Sequence, residues 1–330
     1  EGSFKDGERH GTVIHWYENG QKDREKTYKE GQLNGKEIHW HKNGQKSSEG
    51  NWKDGQLNGE YTGWYENGQM KEEGICNDKG RVGLFTFWSP NGKESLEMIF
   101  NNGEPWTGEW HVWYENGQKE LEQSWKDGQS TGTVIDWYED GQKKKEQTFK
   151  DGKRIGKATV WYANGQKELE HTYKDGKRHG KDTGWYANGQ KSSERNWKDG
   201  QLNGEYTGWY ENGQMKEEGI CNDKGRVGLF TFWSPNGKES LEMIFNNGEP
   251  WTGEWHVWYE NGQKELEQSW KDGQSTGTVI DWYEDGQKKK EQTFKDGKRI
   301  GKATVWYANG QKELEHTYKD GKRHGKDTGW

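Results

Sequence analysis

The fold is decided by a unit of 24 residues, which in residues 132–155 reads GTVIDWYEDGQKKKEQTFKDGKRI. It contains two turn signals, Asp140-Gly141 and Asp151-Gly152. Asn-Gly and Asp-Gly pairs are the strongest short-range signals for a β-hairpin, because both turn residues adopt a positive φ. The short segments between the turns are rich in Thr, Val, Ile, Tyr and Trp, which favour strands. The unit therefore predicts one β-hairpin.

The Trp of this unit recurs along the whole chain. The step is 24 residues, except after Trp88 and Trp233, where it is 25. A fixed period of this length is typical of a repeat architecture, in which each unit packs on its neighbours. The series comprises Trp16, Trp40, Trp64, Trp88, Trp113, Trp137, Trp161, Trp185, Trp209, Trp233, Trp258, Trp282, Trp306 and Trp330.

A longer repeat is superimposed on the short one. Residues 43–185 and 188–330 form two nearly identical blocks of six repeats, related by a shift of 145 residues and differing only where Gly50 is replaced by Arg195. Residues 1–42 resemble the start of a block but have diverged from it. We expect residues 1–330 to form a single continuous repeat array, cut from a longer chain.

Composition gives two opposing indications. Apolar residues make up only 26% of the chain and charged residues 32%, which favours disorder. The 22 Trp, 15 Tyr and 9 Phe are periodic, however, and 49 Gly against 4 Pro suit many tight turns. The prediction is an all-β fold without helices or a large core. It is an elongated array of about fourteen hairpins forming one twisted antiparallel meander, with about 27 strands over roughly 130 Å.

Charge and cysteine usage exclude several classes of protein. The net charge of −7 is modest and its signs are interleaved, so no basic footprint for nucleic acid is present. No apolar run reaches the length of a membrane span. Cys76 and Cys221 are copies of each other and lie roughly 60 Å apart in such an array, which excludes a mutual disulfide. Cysteine usage does not determine the compartment of the protein, and an extracellular or cell-surface location is slightly favoured.

Several positions hold their register through the array and are expected to be structural. Each aromatic is expected to stack on the equivalent ring one repeat along, which contributes about 0.5–1.5 kcal/mol beyond burial. A late Gly lets an aromatic side chain lie across its backbone. A column of Glu requires Lys side chains or turn N–H groups to balance it. The positions are represented by Trp16, Gly20, Glu25, Tyr28, Gly31, Gly35, Trp113, Gly117, Glu122, Trp125, Gly128 and Gly132.

The regular pattern breaks once in each long block, where aromatic and aliphatic residues are concentrated. Such a concentration in a polar array suggests a contact patch. The alternatives are packing within an assembly, a partner protein, or a glycan or lipid. The candidate interface residues are Phe85, Phe87, Trp88, Phe100, Trp106, Trp110, Phe230, Phe232, Trp233, Phe245, Trp251 and Trp255.

The unit resembles the MORN repeat, specifically its bacterial variant form. The likeness is clearest in Trp113-Tyr114-Glu115-Asn116-Gly117 followed by Trp125-Lys126-Asp127-Gly128, and it covers essentially the whole chain. The resemblance implies an elongated, twisted antiparallel sheet. It also implies a scaffold or protein-binding role, with membrane association proposed for some members and the variant form often labelled antitoxin-like. None of these roles supplies catalytic residues.

The residues provide no convincing catalytic set, cofactor motif or metal site. His15, His39 and His41 form the one local His group, but His15 lies about 10 Å from the other two. We therefore expect a non-enzymatic structural protein, a rod or a segment of a self-assembling fibre, whose partner is itself. The alternatives are a protein-binding, antitoxin-like scaffold and an aromatic platform for glycans. Nucleic acid is not expected as a partner, and contact with a membrane or glycan is the least favoured.

Overall fold

The computed structural model describes residues 2–325 and 327–329, and in these residues the protein is all-β, without a helix. The strands are β1 Phe4–Lys5, β2 Glu8–Arg9, β3 Gly11–Trp16, β4 Lys22–Lys29, β5 Gln32–Trp40, β6 Lys46–Lys53, β7 Gln56–Trp64, β8 Met70–Asn77, β9 Gly80–Trp88, β10 Ser95–Asn101, β11 Glu104–Trp113, β12 Lys119–Lys126, β13 Gln129–Trp137, β14 Lys143–Lys150, β15 Lys153–Trp161, β16 Lys167–Lys174, β17 Lys177–Arg178, β18 Gly180–Trp185, β19 Lys191–Lys198, β20 Gln201–Trp209, β21 Met215–Asn222, β22 Gly225–Trp233, β23 Ser240–Asn246, β24 Glu249–Trp258, β25 Lys264–Lys271, β26 Gln274–Trp282, β27 Lys288–Lys295, β28 Lys298–Trp306, β29 Lys312–Lys319, β30 Lys322–Arg323 and β31 Thr328–Gly329.

The chain divides into two compact units, residues 1–165 and 166–330. In the first unit β1 pairs with β2, and β3 to β15 form a meander in which each strand pairs antiparallel with the next. In the second unit β16 pairs with both β17 and β18, each strand from β18 to β29 pairs antiparallel with the next, and β29 pairs with both β30 and β31. The predicted all-β meander of hairpins is confirmed. Trp330, the last member of the predicted Trp series, lies outside the described residues.

The second turn of most 24-residue repeats has the predicted geometry; at Asp78-Lys79 and Asp223-Lys224 neither residue has a positive φ. In the turn between β4 and β5, Glu30 and Gly31 have φ of 50° and 75°, and Lys29 pairs with Gln32 across them. Two successive residues with positive φ in a two-residue loop define a type I′ turn, whose twist matches that of the strands. Asp151 and Gly152 repeat this with φ of 49° and 72°.

The first turn is different, and the expectation of two positive φ angles is wrong there. Only Gly20 has a positive φ, at 82°, while Asn19 does not. The loop is longer: the Tyr17 N–H donates to the carbonyl of Gln21, and the Gly20 N–H donates to that of Tyr17. A type I turn followed by Gly suits such a loop. Asn19 is used for its side chain, which accepts from the Gln21 N–H at 3.1 Å.

Hydrogen bonds at both ends of the strands join each repeat to the next. At one end the Tyr65 hydroxyl donates to the Trp88 carbonyl at 2.8 Å, and the Asn67 amide donates to the Pro90 carbonyl at 2.8 Å. At the other end the Gly128 N–H donates to the Trp106 carbonyl at 2.9 Å. The hydroxyl bond recurs at Tyr17, Tyr114, Tyr138, Tyr186, Tyr210, Tyr259 and Tyr283.

In ordinary repeats the Glu column is balanced by lysines, as expected. The Lys22 ammonium lies 2.8 Å from the Glu25 carboxylate, and Lys119 lies 3.0 Å from Glu122. The same Lys22 ammonium lies 5.2 Å from the centre of the Trp40 ring, one repeat along. A cation–π contact therefore connects neighbouring repeats at this column. The expected stacking of Trp16 on Trp40 is replaced by this contact of Lys22 with Trp40.

Each of the two compact units has a small apolar cluster as its core rather than a continuous apolar layer. In the first unit it comprises Cys76, Phe85, Phe87, Met98, Phe100 and Trp113, and Cys76 is a free thiol. Phe85 is completely buried, and its ring lies flat over the backbone of Gly74 on the adjacent strand. A Cβ atom at Gly74 would lie 2.4 Å from the Phe85 ring. Gly74 therefore provides the space in which the cluster packs.

We expect Gly74→Ala to destabilise the protein by about 1–3 kcal/mol, because the Phe85 ring must move out of its packed position. The matched control is Gly50→Ala, at the same register position two strands earlier. There the added methyl group would meet the flexible end of Leu57 at 3.1 Å, and the second block carries Arg195 at this position. Urea unfolding monitored by Trp fluorescence measures both variants. Equal midpoints for the two would show that the ring–glycine contact is unimportant.

Candidate functional site

The structure brings some residues of the predicted interface patch together and leaves others apart. Phe85, Phe87 and Phe100 are buried on one face of the sheet, with ring centres 5.5–6.1 Å apart. Trp110 packs edge-on against Phe100 at 6.5 Å. Trp88 is half-buried and is not part of this cluster. The copies Phe230, Phe232, Phe245 and Trp255 form the same cluster in the second unit, without Trp233.

Trp106 lies at the residue that makes this repeat one residue longer. Ile99 pairs with Thr107 and Phe100 pairs with Pro105, so Trp106 is the unpaired residue of a β-bulge. Its ring is 39% exposed and lies against the turn at Gly128, one repeat along. Trp251 repeats this contact with Gly273.

An ion pair covers the open side of the phenylalanine cluster. The Arg81 guanidinium donates to the buried Glu72 carboxylate at 2.6 Å. The same guanidinium lies 5.4–5.5 Å from the ring centres of Phe85, Phe87 and Phe100. Arg226 and Glu217 repeat the pair in the second unit. The arginine thus neutralises a buried carboxylate and covers the rings.

A cavity next to this ion pair is lined by Tyr65, Glu72, Arg81, Trp110 and His111, among others. Burial raises the pKa of Tyr65 to about 12, so that its hydroxyl stays protonated and donates to Trp88. Burial, and secondarily Lys119, lowers the pKa of His111. The Nε2 atom of His111 is buried without a hydrogen-bond partner. The cavity therefore holds a neutral imidazole near a neutralised carboxylate.

Among the residues that the structure describes, the His111 side chain has no carboxylate within hydrogen-bond distance. The His111 Nε2 atom lies 3.8 Å from the Glu109 carboxylate and 3.9 Å from that of Glu122, beyond hydrogen-bond reach. In the described part of the chain, no three His, Cys, Asp or Glu side chains are placed to share a metal ion. His39 instead bonds Glu37 at 2.9 Å, and His41 contacts the Trp64 carbonyl at 3.1 Å.

The opposite face of the same strands carries a row of exposed aliphatic side chains that the sequence analysis did not predict. Ile75, Leu84 and Ile99 are 44–51% exposed, although their neighbours Phe85 and Phe100 are buried. Residues alternate between the two faces of a strand, so a continuous apolar run places half of its side chains on the open face. The signal was present in the run from Leu84 to Trp88, which lacks the polar alternation of the other repeats. Ile220, Leu229 and Ile244 repeat the exposed row.

The repeat pattern and this geometry agree with a family match that covers most of the chain. The model of the MORN repeat variant matches residues 9–30, 33–54, 57–75, 106–127, 130–151, 154–175, 202–220, 251–272, 275–296 and 299–320. The chain therefore belongs to the MORN repeat variant family.

Comparison with other proteins adds little beyond the family. No curated protein matches the chain. Among solved structures, the TcdB2–TccC3–Cdc42 complex matches 94% of this chain with 12% identity and a TM-score of 0.17. TcdB2–TccC3 without its hypervariable C-terminal region matches 93% with 11% identity and a TM-score of 0.17. The chain covers 20% of each of those chains, and scores this low carry no argument about function.

The described residues also contain no helix that is long and apolar enough to cross a membrane.

Removing the Arg81 side-chain charge should destabilise the first unit strongly. Arg81→Met leaves the Glu72 carboxylate buried and unpaired, which costs about 3–5 kcal/mol in comparable buried pairs. The double variant Arg81→Met/Glu72→Gln should recover part of this loss. Lys119→Met is the control, because its partner Glu122 is accessible to solvent, and such pairs are worth about 0–1 kcal/mol. Urea unfolding distinguishes these cases, and a loss no greater than that of the control would contradict the role of the pair.

Two histidines whose pKa is lowered by burial, His111 and His256, should make stability depend on pH. The folded-state pKa of His111, like that of His256, lies below its ordinary value. Protons therefore bind the unfolded chain preferentially. The stabilisation is complete above about pH 6.5 and is lost as the pH falls towards the lowered folded-state pKa. His111→Gln/His256→Gln should lose less stability between pH 8 and pH 5 than the wild type, as measured by urea midpoints. Parallel profiles would show that these histidines do not contribute.

Proposed function

We propose that this protein is a non-catalytic scaffold, a hairpin-repeat support that presents rows of side chains for contact with other protein molecules. The observation that carries the proposal is the division between the two faces of β8 to β10. The aromatic residues are buried on one face, where they stabilise the unit. Ile75, Leu84 and Ile99 remain about half exposed on the other face, outside the buried cluster.

The surface of the ordinary repeats differs from this exposed aliphatic row, and the difference supports the proposed role. In ordinary repeats most exposed positions are polar, although Trp16 is 49% exposed, and charges are compensated locally, as in Lys22–Glu25 and Lys167–Glu170. Exposed apolar patches on soluble proteins mark contact sites more often than chance, since they cost solubility without adding stability. The break in the pattern recurs in both units, so one chain presents two equal surfaces.

Assembly of the protein into a fibre stays a prediction. Two equal surfaces on one chain are compatible with cross-linking between copies, but they serve a separate partner equally well. The aromatic platform for glycans has less support, because Phe85 and Phe100 are buried against their own neighbours and leave Trp106 as the exposed ring of the first patch.

A selection experiment tests the scaffold proposal. A random peptide library displayed on phage is selected against the wild-type chain. Selected peptides are then tested on the variant Leu84→Ser/Ile99→Ser/Leu229→Ser/Ile244→Ser. We expect the variant to stay folded, with a loss of about 0.5 kcal/mol or less per substitution, because these side chains lie outside the buried cluster. We also expect it to lose most of the selected binding.

The control carries Thr133→Ser/Thr148→Ser/Thr278→Ser/Thr293→Ser, which alters the same register positions in ordinary repeats. Its binding should equal that of the wild type. The proposal fails if no selected peptide distinguishes the Leu84 variant from the control. It also fails if the Leu84 variant unfolds, since the row would then be part of the folded core.

A further inference from the structure

We propose that the exposed row and the carboxylates beside it bind a basic amphipathic helix of another protein, with aliphatic residues along one stripe and Lys or Arg along its flank. The surface comprises Ile75, Leu84, Ile99, Glu73 and Glu97 in the first unit. In the second unit it comprises Ile220, Leu229, Ile244, Glu218 and Glu242. This inference rests on the proposed scaffold function and names the chemistry of the partner.

The aliphatic residues occupy a register that is polar elsewhere. Leu84 pairs with Ile99 across β9 and β10. At the same register in other repeats of the first unit, Thr12 pairs with Thr27, Lys36 with Asn51, Glu60 with Ile75, Glu109 with Ser124 and Thr133 with Thr148. Nothing in the fold requires an apolar pair at this register, because the polar pairs form the same ladder. The apolar pair is therefore explained by contact outside the unit.

The carboxylates next to this row have lost their usual partners. In ordinary repeats the Lys three residues before the Glu pairs with it, as Lys46 does with Glu49 at 2.6 Å. The corresponding residue is Met70 before Glu73 and Glu94 before Glu97. Within the described ranges, neither Glu73 nor Glu97 has an ion-pair partner, and both are exposed. The second unit has Met215 and Glu239 at the same places.

The two rows run side by side across the strands. Glu73 and Glu97 both pair with Thr86, and the row of Ile75, Leu84 and Ile99 lies next to them. Neighbouring strands lie about 4.8 Å apart, and an α-helix returns to the same face every 5.4 Å. A helix lying across the strands thus places one aliphatic side chain over each strand and its flanking residues over the carboxylates.

The second unit shows a shallow groove between the rows. It is lined by Glu218 and Thr231 on one side and by Ile220 and Leu229 on the other, with Glu205 at its edge. A groove with an apolar wall and an acidic wall is complementary to a helix with an apolar stripe and a basic flank. The same acidic wall repels an anionic membrane surface, and aliphatic side chains offer no ring for a sugar to stack on.

Two synthetic peptides serve as probes. Both have about 18 residues, or five helical turns, and share one stripe of Leu; one carries Lys on the flank and the other carries Glu. Binding to the full chain is measured by fluorescence anisotropy at about 50 mM and 300 mM salt. We expect the Lys peptide to bind about tenfold more tightly than the Glu peptide at low salt, with a smaller difference at high salt.

Matched charge variants locate the site. Glu73→Gln/Glu97→Gln/Glu218→Gln/Glu242→Gln should weaken binding of the Lys peptide by about fivefold to tenfold. The control, Glu122→Gln/Glu146→Gln/Glu267→Gln/Glu291→Gln, removes the same number of charges from Lys-paired members of the column. It should leave binding unchanged. Equal weakening by both variants, equal binding of both peptides, or no binding of either would each overturn the inference.

Failure of this inference can be separated from failure of the scaffold proposal. If the phage selection yields peptides that require Leu84 and Leu229 but are not basic, the scaffold proposal stands and the basic helix is wrong. If no peptide requires that row, both proposals fall.

Discussion

The structure depends on hydrogen bonds between repeats, because each unit is a meander whose apolar residues form only a small cluster. The Tyr65 hydroxyl and the Asn67 amide donate to backbone carbonyls of the next repeat. At the other end of the strands the Gly128 N–H donates to the Trp106 carbonyl of the preceding repeat. Each such bond contributes only about 0.5–1.5 kcal/mol. The bonds recur with every repeat, so that local terms summed along the chain replace a large core.

The aromatic cluster lies where this scheme is interrupted. Ser89 stands at the position of the bridging Tyr, and its hydroxyl bonds Asn91 within its own loop at 2.9 Å. At the same place Phe85, Phe100 and the Arg81–Glu72 pair provide burial that ordinary repeats lack. This burial lies on one face of β8 to β10, and the side chains of Ile75, Leu84 and Ile99 on the other face stay exposed.

The two turns of an ordinary repeat differ in backbone conformation although their sequence signals are alike. The pairs of the second turn, such as Glu30-Gly31 and Asp151-Gly152, adopt the two positive φ angles that a two-residue hairpin loop favours. The pairs of the first turn, such as Asn19-Gly20 and Asp140-Gly141, do not, because they lie in a longer loop; there the Asn19 amide donates to the Lys42 carbonyl of the next repeat at 3.0 Å. The expected stacking of successive aromatics likewise gave way to the contact of Lys22 with Trp40, which depends on packing between repeats.

The sequence by itself determined the repeat length, the hairpins, the all-β class and the family, because each follows from residues that are close along the chain. The tertiary structure decided which residues of the apolar zone are available for contact. Phe85 and Leu84 are adjacent and both apolar, yet one is completely buried and the other is 51% exposed. The sequence showed an apolar run without showing which face had a partner. That distinction depends on Gly74 of the adjacent strand and on Arg81, which enclose one face and leave the other open.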